Sequence, residues 1–126
     1  MGGLLCVALL SGALSWELPL PGFELVWTHS VERVEWREAY RVEPDALRLV
    51  EVKVKGSGAG MEPPEGAVLE GGWWVAHPMT PIERLVLTRS GVVQDYRLCF
   101  MADCRPLAGW LPGLPETGAV ALRSCI

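Results

Sequence analysis

Residues 34–55 read VEWREAYRVEPDALRLVEVKVK, two alternating runs on either side of a Pro-Asp turn. In the first run Val34, Trp36, Tyr40 and Val42 share one face, while Glu35, Arg37, Arg41 and Glu43 share the other with Ala39. This period of two marks a half-buried β-strand. Glu38 falls on the apolar face. The second run breaks phase, because Leu47 and Leu49 point one way and Val50, Val52 and Val54 the other, which predicts a bulge near Leu49 and Val50. Upstream, Phe23, Leu25, Trp27 and His29 form the bulky face of a preceding run. A tight turn at Glu32 and Arg33 would pair Val31 with Val34, setting His29 beside Trp36 and Trp27 beside Glu38. A four-residue loop would set His29 directly opposite Glu38. Either register keeps the imidazole and the carboxylate on one face, since an even change of loop length preserves parity.

Working outward, the chain alternates short β-type runs with Gly, Pro and Asp punctuation and shows no long helical period. Seven strands are predicted, over 23–30, 34–43, 46–55, 72–77, 83–90, 92–100 and 119–126. The dipeptide Ser90-Gly91 is read as the turn joining the fifth and sixth. The expected fold is all-β, a single antiparallel β-barrel or closed β-sandwich of about seven or eight strands connected as a hairpin meander.

The 126 residues are half hydrophobic, enough for one core and one domain, expected over 16–126. A net charge of −4 lacks the basic footprint that a phosphate backbone selects, so nucleic acid is excluded as a partner. Residues 1–15, MGGLLCVALLSGALS, contain no charged side chain. As a helix they would reach only about 20 Å, short of a hydrocarbon core of ~30 Å, so a span is disfavoured. They read as a signal-like segment, with Ala13 and Ser15 as a small-x-small site, although the basic start of such a signal is missing. An apolar first strand or a buried terminal helix is the other reading. Loss of the segment would leave Cys99, Cys104 and Cys125. In an oxidising compartment Cys99 and Cys104, on either side of a turn, are then the expected disulfide, and Cys125 a free thiol.

An ionised Glu38 on an apolar face needs a partner or water, and His29 is the candidate. A buried pair, a cavity mouth where both meet a ligand, and an acid-base pair would each satisfy that need. Ser30 points away from His29 in a regular strand, so a nucleophile-base pair is disfavoured. The run KGSGAGMEPPEGA, residues 55–67, lets backbone amides approach a ligand. It is expected to cap a pocket through Ser57, Gly58, Gly60 and Met61, or to be a plain turn. Adjacent Trp73 and Trp74 should split, one inward and one outward, and the outward ring suits a docking surface. His77 before Pro78 reads as a turn residue, and no metal or other cofactor is expected.

The stretches WTHSVERVEWREAYRV, GSGAGMEPPEG and GGWW resemble the family of small bacterial proteins called domain of unknown function eighteen-fifty. The resemblance implies an exported protein associated with tripartite TRAP transporters of the TAXI type, and so an accessory role in solute uptake. It supplies no catalytic residues. The combined expectation is a periplasmic or secreted, non-enzymatic protein, peripheral to a membrane at most. It would bind a small solute or a transporter component at His29, Ser30, Trp36, Glu38, Ser57, Gly58, Gly60 and Met61, with carboxylate solutes as the suggested class. Two alternatives stand beside it: a docking module without ligand, using Trp73 or Trp74, and a small hydrolase using His29 and Glu38.

Overall fold

The computed structural model of the protein describes residues 3–28, 33–56 and 63–125. His29, Ser30, Ser57, Gly58, Gly60 and Met61 lie outside the described residues. The alternating runs form the centre of an eight-stranded antiparallel sheet. Its spine is β3 (Gly22–Thr28), β4 (Glu35–Glu43) and β5 (Ala46–Lys55). Pro44 and Asp45 make the two-residue turn between β4 and β5, where Asp45 takes the left-handed φ of 70° that the second position of such a turn requires. The phase break resolves as expected: Tyr40 pairs with Leu49 and Ala39 with Glu51, leaving Val50 as the extra residue. One bulge thereby brings Leu47, Leu49, Val52 and Val54 onto a single face.

The bulge also divides the free edge of β5. Val52 to Lys55 pair with β7 (Trp73–Ala76), and Leu47 to Leu49 pair with β8 (Thr80–Ile82). Pro78, which has no N–H to give a ladder, sits in the break between them. The short β6 (Val68–Glu70) forms the outer edge beyond β7. On the other side β3 pairs with β10 (Arg97–Phe100), and β10 with the edge strand β11 (Asp103–Pro106). A single helical turn, α1 (Leu107–Trp110), follows, and Trp110 Nε1 donates to the carbonyl of Leu98 at 2.8 Å.

The smaller sheet has the order β2-β1-β12-β9 and joins the two ends of the described chain. Its strands are β1 (Leu5–Leu9), β2 (Ser15–Leu18), β9 (Leu85–Leu87) and β12 (Val120–Ser124). It packs across the inner face of the large sheet. Leu5, Val7, Val120 and Leu122 meet Phe23, Leu25, Tyr40, Val42 and Leu47 in one buried cluster. Burying these side chains is the main driving force, on the order of 1.5–3 kcal/mol for each large one. Two disulfides add covalent closure, Cys99 to Cys104 and Cys6 to Cys125.

Several expectations are corrected. The fold is all-β, but its two sheets stay open, and twelve strands among the described residues replace the seven or eight of a barrel. Cys125, expected as a free thiol, bonds Cys6, which lies in β1 between β2 and β12. The hairpin read at Ser90-Gly91 does not exist. β9 joins the small sheet and β10 the large one, and Ser90 Oγ accepts from the Val92 amide, so this loop crosses between the sheets. No helix among the described residues is long and apolar enough to cross a membrane.

Candidate functional site

The inner face of the large sheet changes character toward one end. Leu25 lies opposite Glu38 and Trp27 opposite Trp36, a register shifted by two residues from the tight-turn reading. Parity is kept, so Glu38 does share the inner face with Trp27, Trp36 and Tyr40. Trp36 faces Val54, and Val54 faces Trp74, which draws an aromatic row across four strands. Trp27 stacks on Trp36 with centroids 5.2 Å apart and planes 14° from parallel. Tyr96 continues the row, tilted by 58° at 6.4 Å from Trp27. Phe23 and Tyr40 form a second stack beneath, at 5.1 Å. Cross-strand aromatic pairs of this kind hold a sheet and keep the rings rigid.

Glu38 serves this row. Its Oε1 accepts the Trp27 indole N–H at 3.3 Å, which fixes the ring. Burial pushes the Glu38 carboxyl above the ordinary carboxylate range, and hydrogen bonds from Trp27 and Tyr40 pull it part of the way back. The Tyr40 phenol is pushed up by burial and by the neighbouring Glu38 carboxylate. Burial, then the Glu38 and Asp95 carboxylates, also raise Tyr96. Two indole nitrogens of the row, Trp36 Nε1 and Trp74 Nε1, are buried without a hydrogen-bond partner.

Beside the row opens a cleft of about 330 Å³ between the end of β3 and the loop that crosses from β9 to β10. Trp27, Thr28, Arg89, Asp95, Tyr96 and Glu116 lie in its walls. The loop is pinned by Arg89, whose side chain is 5% exposed. Arg89 Nε and Nη2 donate to both oxygens of Asp95, and Nη1 donates to the carbonyl of Pro115 at 2.7 Å. Asp95 Oδ1 accepts the Tyr96 amide at 2.8 Å, so the ion pair also orients the tyrosine that ends the aromatic row.

Of the residues expected to form a site, Trp36 and Glu38 are brought together on one face, while the remaining six lie outside the described residues. Trp27 was anticipated only as a neighbour of Glu38, and Arg89, Asp95, Tyr96 and Glu116 were not anticipated. The one signal for them was the opposite charges of Arg89 and Asp95 flanking Ser90-Gly91. Trp73 and Trp74 split as expected. Trp74 is on the inner face, and Trp73 on the outer one beneath Lys55, Lys53 and Arg37, at 4.9, 5.2 and 5.7 Å. His77 approaches Glu51 at 3.3 Å. Among the described residues one group of possible metal ligands comes together, Cys6, Glu17 and Cys125, but both sulfurs are spent in the disulfide.

Fold and site define a disulfide-bonded antiparallel β-sandwich with an aromatic wall at one end and a cleft beside it. The chain belongs to the family described as domain of unknown function (DUF1850), whose match covers residues 23–107. That span holds the spine of the large sheet from Phe23 onward, the aromatic row and the crossing loop, but not β1, β2 or β12. No curated protein and no solved structure matches the chain.

Proposed function

We propose that this protein is an exported binding domain that holds a small solute in the cleft beside Trp27 and Tyr96, accessory to solute uptake by a TRAP-type transporter. The observation that carries the reading is the cleft itself. It is concave, of a volume that suits a small molecule, and mixes aromatic rings with a few fixed polar groups. Its rigidity supports the same role, because Arg89 and Glu38 both spend their polar atoms on holding the walls. Glu38 is thus a positioning residue for Trp27. Two disulfides favour an oxidising, extracytoplasmic setting.

A thermal-shift panel of small metabolites on the purified chain tests the proposal. At least one solute is expected to raise the midpoint in a saturable way. Trp27→Ala should abolish the shift while both disulfides and the β-type circular dichroism persist. A panel spanning anions, neutral solutes and cations that leaves the midpoint unmoved would remove the reading.

A further inference from the structure

The walls of the cleft carry a sign. Among the described residues that line it, the Arg, Asp and Glu side chains are those of Arg89, Asp95 and Glu116. Arg89 is already committed, forked onto Asp95 at 2.9 to 3.2 Å and bonded to Pro115. A fork of this kind is neutral as a unit and leaves no surplus positive charge for an incoming anion. Drawing the guanidinium onto an anionic ligand would strip a buried ion pair of one partner, the unfavourable way to break it. What remains is the carboxylate of Glu116, exposed and without an ion-pair partner among the described residues. Trp27 and Tyr96 line the same cleft, and aromatic rings of this kind attract cations.

We propose that the cleft takes a small organic cation, an ammonium with a compact apolar body. The body rests against Trp27 and Tyr96, and the positive head meets Glu116. Thr28 and Thr88 supply further acceptor oxygens along the wall. This inference rests on the cleft being the solute site, and it reverses the carboxylate class that the histidine and the glycine-rich loop suggested.

Three probes of nearly equal shape separate charge from fit: choline, 3,3-dimethylbutan-1-ol and 3,3-dimethylbutanoate, which carry +1, 0 and −1. Each is titrated into the full chain by calorimetry, with tryptophan emission as a second readout. Choline is expected to bind about tenfold more tightly than the neutral alcohol, and the carboxylate most weakly. Glu116→Gln should erase most of the advantage of choline while leaving the affinity for the alcohol unchanged. Equal affinities, a preference for the carboxylate, or an unchanged ratio in Glu116→Gln would overturn the cation assignment while leaving the cleft a solute site. Failure of all three to bind also overturns the assignment, and the wider thermal-shift panel then decides separately whether the cleft binds anything.

Discussion

Glu38 stands among rings, and its chemistry sets how the protein responds to pH. Its folded pKa is raised above the ordinary 4.5, chiefly by burial, so the native state holds that proton more tightly than the unfolded chain does. Stability therefore falls as pH rises from the unfolded value through the folded one, and it is not regained above that window. Glu38→Gln keeps an acceptor for the Trp27 indole but cannot titrate. Urea midpoints measured across pH should fall less steeply above 4.5 in the variant than in the parent. Arg89 makes the opposite case, since its partner is what permits its burial. Asp95→Ala should lower the unfolding free energy by about 3–5 kcal/mol, whereas Arg89→Met combined with Asp95→Leu should cost much less. Denaturant titration of the three chains checks both. The placement of Glu38 was legible from alternation alone, because parity survives an error of two residues in register. The ion pair was not, because two charges around a Ser-Gly turn read the same whether they decorate a hairpin or lock a crossing.

At the level of strands, local pattern found elements and missed partners. β5 was placed over 46–55 as observed, and its bulge followed from one break in phase. The run 92–100 contained β10, but Val92 and Val93, both exposed, pair with no strand. Short apolar runs carry no record of which ladder they will join. β1 was harder still, for an uncharged LCVAL suits a leader and a buried strand equally. Its position shows in the disulfides. Cys6–Cys125 closes a span of 119 residues and Cys99–Cys104 one of only 5. By loop entropy the first should contribute about 5 kcal/mol and the second about 2 kcal/mol. Replacing Cys6 and Cys125 by serine should accordingly lower the thermal midpoint well beyond the loss from replacing Cys99 and Cys104.

For the whole molecule, the outcome turned on closure. Alternating strands on a hydrophobic face do not say whether a sheet rolls shut or is covered by another, and here a second sheet built from both ends of the described chain covers it. An open sheet keeps its edges. β6 is one of them, and Val68 and Leu69 are 61% and 55% exposed there. Uncovered apolar edges invite pairing between copies. Leu69→Lys should reduce concentration-dependent light scattering without moving the thermal midpoint.

The bond between Cys6 and Cys125 has a mechanical side as well. Because it joins β1 to the residue that follows β12, a pull that enters through these two strands is carried by sulfur rather than by the strands between them. In a force spectrometer the span of 119 residues between the two cysteines should add no length in the oxidised protein, and its unravelling should appear once a reductant has cut the clasp.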